Sequence, residues 1–131
     1  MVIYKISISS AGVGFKDFKT AEGEVTEEGG AIIFKYSLDG DSCVLTVRDG
    51  KATQERRGEQ FVKIDFEEGV KTKCEIGNGG FCGSYEVYTK SLKFISGKGG
   101  YKLSLEYLNG NEKQLIKLTF TAVKKENIYE N

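Results

Sequence analysis

The chain contains no histidine and no proline, and it has no long apolar run. Without histidine it lacks the commonest general base, the commonest metal ligand and the usual partner of a serine or cysteine nucleophile. Catalysis would then depend on carboxylates, tyrosines or Cys82, so we predict that the protein is not an enzyme and holds no metal or cofactor. Without a stretch of about 18 apolar residues, a membrane-spanning helix is excluded. Without proline, no strand is marked as an edge strand.

The chain also lacks an excess of charge of either sign. Its 19 basic and 19 acidic residues give a net charge of zero. Nucleic-acid binding normally needs a basic face that displaces counterions from phosphates, so we expect neither nucleic acid nor membrane as a partner. The first residues lack the basic region and the following apolar segment that are characteristic of a signal peptide. We therefore expect a cytoplasmic protein.

Three cysteines are an odd number, which suits reduced thiols in the cytoplasm better than a disulfide framework. Cys43 and Cys74 lie in alternating apolar and polar segments, so we predict that both pack in the core. Cys82 lies in the segment Gly80-Phe81-Cys82-Gly83 and is predicted to be accessible. No Cys-x-x-Cys pair is present, which argues against a zinc site.

Glycine-centred turns recur about every ten residues along the chain, and the segments between them alternate apolar with polar residues. The turns are Gly29-Gly30, Asp39-Gly40, Asp49-Gly50, Arg57-Gly58, Glu68-Gly69, Gly79-Gly80, Gly99-Gly100 and Asn109-Gly110. This spacing is typical of a meander of short antiparallel strands. It predicts an all-β fold, a single antiparallel up-and-down β-barrel of about 8–10 strands. We place the barrel at residues 1–123 and a polar tail at 124–131.

The turns also predict which residues face each other across the hairpins. The predicted pairs are Val25–Phe34, Tyr36–Cys43, Phe94–Leu103, Leu103–Ile116, Phe66–Val70 and Ile64–Thr72. The apolar members then share one face, and a slip of one residue would reverse this sorting. One face of the sheet is apolar and the other is polar over all of these strands. This pattern predicts a sheet that closes on itself. Residues 10–18 are interpreted as a connection, and residues 97–100 as a longer loop.

One strand, residues 51–57, breaks the alternation. If a three-residue loop at Arg57-Gly58-Glu59 follows it, with Gly58 in the left-handed region, Gln54 faces Val62 and points inward together with Arg56. A two-residue turn at Gly58-Glu59 would instead turn Glu55 and Arg57 inward. Both alternatives direct one arginine towards the interior.

An inward guanidinium that has no partner costs several kcal/mol, because it cannot lose its proton. The predicted inward side chains offer hydroxyls but almost no acid, so a small anionic or amphipathic molecule in the barrel is a reasonable partner. The residues predicted to bind it are Arg56, Gln54, Tyr36, Tyr85 and Tyr107. Alternatively, Arg56 lies at a strand end and reaches water along its apolar stem. The alternative function is that of a non-catalytic interaction or structural protein. In that case side chains fill the barrel interior, and the protein acts through its surface or as a homodimer.

Short motifs along nearly the whole chain resemble those of one protein family. They are Glu22-Gly23-Glu24, Phe34-Lys35-Tyr36, Leu45–Gly50, Arg56-Arg57-Gly58, Phe66–Gly69 and Leu103–Tyr107. In these features the chain resembles the YwiB-like family of small uncharacterised bacterial proteins. The resemblance implies a calycin-like (lipocalin-like) β-barrel in the bacterial cytoplasm and supplies no catalytic residues. The chain departs from the family pattern at residues 79–83, where the family tends to have a Thr-Pro-Tyr-Gly-like segment.

Overall fold

Ten β-strands make up the fold in a computed structural model, which describes residues 2–78, 81–110 and 114–125. The strands are β1 (Tyr4–Gly12), β2 (Phe15–Glu28), β3 (Ala31–Leu38), β4 (Asp41–Arg48), β5 (Lys51–Arg57), β6 (Phe61–Glu67), β7 (Lys71–Asn78), β8 (Phe81–Gly97), β9 (Gly100–Asn109) and β10 (Leu115–Lys124). The described residues include no helix that is long and apolar enough to cross a membrane.

The strands form one closed barrel in which each strand pairs antiparallel with its neighbours in sequence. Pairing of β1 with β10 closes the ring, so that Ile6 faces Ala122 and Ile8 faces Phe120. Because the connections run from each strand to the next, the barrel has up-and-down connectivity. The predicted all-β, single-barrel fold is thereby confirmed, with ten strands.

The hairpins on either side of β3 have the predicted register. Val25 faces Phe34 across β2 and β3, and Tyr36 faces Cys43 across β3 and β4. At the turn between β3 and β4, Asp39 and Gly40 have φ values of 50° and 84°. Two successive positive φ values are those of a type I′ turn, whose twist matches that of the strands. Phe94 also faces Leu103 as predicted.

Two predicted registers are wrong, one by four residues and one by two. Leu103 faces Phe120 instead of Ile116, because the connection between β9 and β10 is longer than a two-residue turn. Ile64 faces Cys74 instead of Thr72, so the predicted Phe66–Val70 pair is absent as well. A shift by an even number of residues leaves every side chain on its predicted face. Part of the first connection, residues 111–113, lies outside the described residues, as does the predicted Gly79-Gly80 turn.

Two predicted loops are tighter than expected. β1 and β2 form a hairpin around Val13 and Gly14, so residues 10–18 are mostly strand and not a connection. Gly97 faces Gly100, which leaves a two-residue turn between β8 and β9 in place of a longer loop. Of the predicted polar tail, residues 126–131 lie outside the described residues, and β10 extends to Lys124.

The core is an aromatic cluster inside the barrel. Phe34 is fully buried, and its ring centroid lies 5.0 Å from that of Phe120 and 5.3 Å from that of Tyr101, both edge-on. Such edge-to-face packing is favourable for aromatic rings. Cys43 and Cys74 are buried as predicted, and Cys82 is exposed.

A β-bulge in β8 preserves the apolar interior along this long strand. The register shifts between Thr89 and Ser91, which leaves one extra residue on β8. Before the bulge Val87 and Thr89 are fully buried, and after it Leu92 and Phe94 pack against the core. The inward positions thus change from odd to even numbers, as one inserted residue requires.

Candidate functional site

The barrel encloses a cavity of about 320 Å³ beside the aromatic cluster. Its walls are mainly aliphatic and aromatic, and its polar lining residues are Tyr36, Gln54, Arg56 and Tyr107. The other lining residues are Ile8, Leu38, Cys43, Leu45, Val62, Ile64, Phe66, Leu103, Leu105, Leu118 and Phe120. The interior is therefore not completely filled by side chains, and the unfilled part is apolar with a few polar groups.

The pairing of β5 with β4 turns Arg56 and Gln54 into this cavity. Arg56 faces Cys43 and Gln54 faces Leu45, as predicted from the turn at Asp49-Gly50. On the other side, Arg56 faces Val62. Arg57 lies on the outer face, where its guanidinium carbon is 4.6 Å from the centroid of the Phe61 ring. Of the two alternatives, the inward arginine is Arg56.

The loop after β5 differs in detail from the prediction. Arg57 faces Phe61, so the three-residue loop covers residues 58–60, one residue later than expected. Gln54 consequently faces Ile64 and not Val62. The φ of Gly58 is not positive, so this glycine is not in the left-handed region. Its space is limited instead by the carboxylate of Asp41, which a Cβ atom on Gly58 would overlap.

Asp41 satisfies the guanidinium of Arg56. The Nε atom of Arg56 donates a hydrogen bond to Oδ2 of Asp41 at 2.7 Å, and a second carboxylate, that of Asp39, lies 3.8 Å from Nη2. The Arg56 side chain is 36% exposed, so it lies at the mouth of the barrel between full burial and full solvation. The expectation of almost no acid near this arginine is wrong at this point, because β4 begins with a carboxylate.

Lys19 of β2 completes the charged rim. Its Nζ atom donates a hydrogen bond to Oδ2 of Asp39 at 2.9 Å, and this pairing lowers the pKa of Asp39. The rim thus contains two cations, Lys19 and Arg56, and two carboxylates, Asp39 and Asp41, with no net charge. The carboxylate of Asp39 lies between the two cations, because Lys19 and Arg56 face the same oxygen of it.

Two tyrosines supply neutral hydroxyls inside the mouth. The hydroxyl of Tyr36 donates to Oε1 of Gln54 at 3.1 Å, while Nε2 of Gln54 donates to the carbonyl of Glu55 at 3.2 Å. Burial raises the pKa of Tyr36 far above its ordinary value, and burial also raises the pKa of Tyr107. Both phenols therefore stay protonated at neutral pH. The ring of Tyr107 packs edge-on against Phe66 with centroids 5.0 Å apart.

Tyr85, the fifth predicted ligand residue, does not line the cavity. It faces Cys74 from β8. Burial, together with the neighbouring Cys74, raises its pKa to about 12. Four of the predicted residues thus line the cavity, whereas Tyr85 lies outside its lining, next to Cys74 and near Tyr107.

Sequence reasoning did not include three rim residues in the site. Asp39 and Asp41 flank a predicted turn glycine, where acidic residues are ordinarily solvated turn residues. Lys19 directly follows the segment, residues 10–18, interpreted as a connection. Asp41 could have been recognised as a partner of Arg56 from its predicted position on β4, which is almost opposite the inward Arg56.

Comparison with known proteins shows a shared fold and no more. No family model matches the chain, and no curated protein sequence matches it. The crystal structure of the ywiB protein from Bacillus subtilis is similar, with a TM-score of 0.78 over 95% of this chain and 92% of that one. The sequence identity is 14%, at which the likeness concerns the fold alone. The chain therefore has a YwiB-like barrel.

Proposed function

We propose that this protein is a non-catalytic binding module that holds one small amphipathic molecule inside its barrel. The observation that carries the proposal is the apolar cavity of about 320 Å³ that opens beside polar side chains at one end. Binding sites for small molecules are typically concave and apolar with a few convergent polar groups. In line with the resemblance, we further propose that the barrel is calycin-like and works in the bacterial cytoplasm.

The arrangement of polar groups favours a ligand with one polar end. Asp41 occupies only the Nε donor of Arg56, so the two terminal nitrogens of the guanidinium keep hydrogen-bonding capacity. Tyr36 and Gln54 lie next to it and offer a hydroxyl and an amide. A carboxylate, a hydroxyl or an amide on the ligand can accept from the guanidinium and from the second N–H of the Gln54 amide, whereas the Tyr36 hydroxyl, which donates to Gln54, can accept from the ligand. The apolar part of the ligand replaces empty space against Ile64 and Leu105.

The charge of the rim limits how strongly an anion is preferred. Because Asp39 and Asp41 neutralise Lys19 and Arg56, an anionic ligand gains less than it would from an unpaired arginine. The volume sets the size: at about 30 Å³ for each water-sized group, the cavity holds about ten non-hydrogen atoms. We therefore propose a short-chain amphipathic molecule, neutral or singly anionic.

Native mass spectrometry of the protein purified from its own host tests this proposal. We expect a fraction of the protein to carry one additional small mass. The variant Ile64→Phe fills the cavity and is expected to lose that mass, whereas the matched variant Ile95→Phe, at an exposed position on the outer face, is expected to keep it. A protein that carries no small molecule, or an adduct that persists in Ile64→Phe, would contradict the proposal.

A second variant tests the polar end. Arg56→Leu is expected to abolish the adduct while the barrel stays folded, because Arg56 lies at the rim and not in the packed core. Circular dichroism and a thermal melt establish whether the variant is folded. If the folded Arg56→Leu protein retains the small molecule, the assignment of Arg56 to the site is wrong.

A further inference from the structure

The first half of β2 has an unpaired edge. On one side β2 pairs with β1 over residues 15–23, from Phe15 opposite Gly12 to Gly23 opposite Tyr4. Its pairing with β3, on the other side, covers only Gly23–Glu28. In the described part of the chain no other strand occupies that side of residues 15–22. Unpaired edges of this kind are places where another strand can add.

The hairpin between β3 and β4 does not cover this edge, because β3 ends at Leu38, which in the β2–β3 register would reach no farther than Ala21. Asp39, in the tip, contacts Lys19 of β2 and Arg56 of β5. Lys19 shares the inward parity of Ala21 and Gly23, and Arg56 points inward too. Since Asp39 meets both on the inner side, the tip lies towards the barrel axis and not in the plane of the sheet.

Even-numbered residues direct their backbone groups towards the open edge. In a two-residue hairpin, the residues that flank the turn exchange hydrogen bonds, and every second pair does so thereafter. Phe15 flanks the turn of the β1–β2 hairpin, so odd-numbered residues of β2 bond to β1. The N–H and C=O groups of Lys16, Phe18 and Thr20 therefore point outward along the unpaired edge.

We propose that this edge is the homodimerisation surface of the protein. In the dimer, residues 16–20 of two copies pair antiparallel about a twofold axis, with Phe18 opposite Phe18 of the second copy. Lys16 then exchanges hydrogen bonds with Thr20 of the second copy, so every residue with free backbone groups meets another such residue. The two Phe18 side chains, each 66% exposed in the single chain, pack together on the outer face.

Charge complementarity selects this register and favours a second copy as the occupant. With Phe18 at the centre, Asp17 lies opposite Lys19 of the second copy, and Lys19 lies opposite its Asp17. A register centred on Lys16 would place two lysines directly opposite each other, which is destabilising. Charged residues usually protect an edge strand from pairing, but here the charges attract an identical edge.

Sedimentation velocity and light scattering over a range of concentrations test the dimer. We expect the wild-type protein to form a dimer whose fraction rises with concentration. Phe18→Lys is expected to be monomeric at least tenfold above the wild-type midpoint. The matched control Ile95→Lys, which replaces an outward side chain of equal exposure on β8, is expected to dimerise normally. Thermal melts establish that both variants are folded.

Cysteine cross-linking tests the register. In a Cys82→Ser background, Phe18→Cys is expected to form an intermolecular disulfide on mild oxidation, because paired residues across such a ladder lie about 5.5 Å apart at Cα, within disulfide range. Thr20→Cys is expected to cross-link poorly, since its counterpart is four residues away along the strand. A wild-type monomer at all concentrations, a dimeric Phe18→Lys variant, or equal cross-linking at both positions would overturn the proposal.

Discussion

Arg56 shows how one residue both marks the candidate site and changes its interpretation. The broken alternation of β5 correctly predicts that an arginine points into the barrel, and the register identifies it as Arg56. Its partner, Asp41, could not be predicted, because turn-flanking acids are usually solvated and the contact depends on how the β3–β4 tip leans. The guanidinium is thus paired within the protein, which favours the amphipathic ligand over the anionic one among the two alternatives that the sequence left open.

The tyrosines carry a pH dependence that belongs to individual residues. Burial beside Cys74 raises the pKa of Tyr85 from 10.0 to about 12, so folding favours its neutral phenol. The stability that this group contributes is complete below pH 10 and is lost as the pH rises from 10 through 12. We expect Tyr85→Phe to lose about 1 kcal/mol less stability than the wild type over that interval, after allowance for solvent screening.

Urea unfolding at pH 8.5, 10 and 11.5 measures this difference. Tyr88→Phe is the matched control, because Tyr88 lies at the surface of the same strand. A Tyr85→Phe variant whose stability falls between pH 10 and pH 11.5 as steeply as that of the control would contradict the assignment.

At the scale of strands, the sequence predicted faces better than registers. Two-residue turns with glycine fix the pairing of β2, β3, β4 and β5, because such turns permit few geometries. Longer connections allow slips by an even number of residues, such as the slip of four between β9 and β10, and no side-chain pattern opposes such slips. The bulge at Thr89 was not predicted, although the inward apolar residues change there from an odd number, Val87, to even numbers, Leu92 and Phe94.

A substitution at Gly23 tests how closely β2 approaches the neighbouring strands β1 and β3. A Cβ atom there would overlap the carbonyl oxygen of Lys35 and would lie 2.7 Å from Cδ1 of Ile6. Because backbone cannot yield as a flexible side chain can, we expect Gly23→Ala to lower the free energy of unfolding by about 1–3 kcal/mol.

The matched variant for this measurement is Gly97→Ala, because a Cβ atom on that glycine of β8 has nothing within 4 Å. Its effect is expected to stay within about 0.5 kcal/mol. Denaturant unfolding of both variants gives the comparison, and equal stabilities would show that β2 does not pass its neighbours as closely as described.

At the scale of the whole molecule, the alternation of residues predicts a closed barrel with apolar side chains inside, and the structure has both. Whether that interior is filled could not be predicted, because a cavity depends on the sizes of side chains contributed by many strands. Phe34, Phe94 and Tyr101 fill one part, while smaller aliphatic side chains leave the space beside Arg56 open. The site is therefore a property of the assembled barrel.

The central claim, that this space accepts a small amphipathic molecule, is tested most directly by a methyl NMR titration with octanol and octanoate as probes. The methyl signals of Ile64, Val62 and Leu105, which line the cavity, are expected to shift and saturate with at least one probe, while those of the exposed Ile95 and Val70 stay fixed. If neither probe moves the cavity signals, or if the exposed methyls shift equally, the barrel does not bind such molecules in its interior.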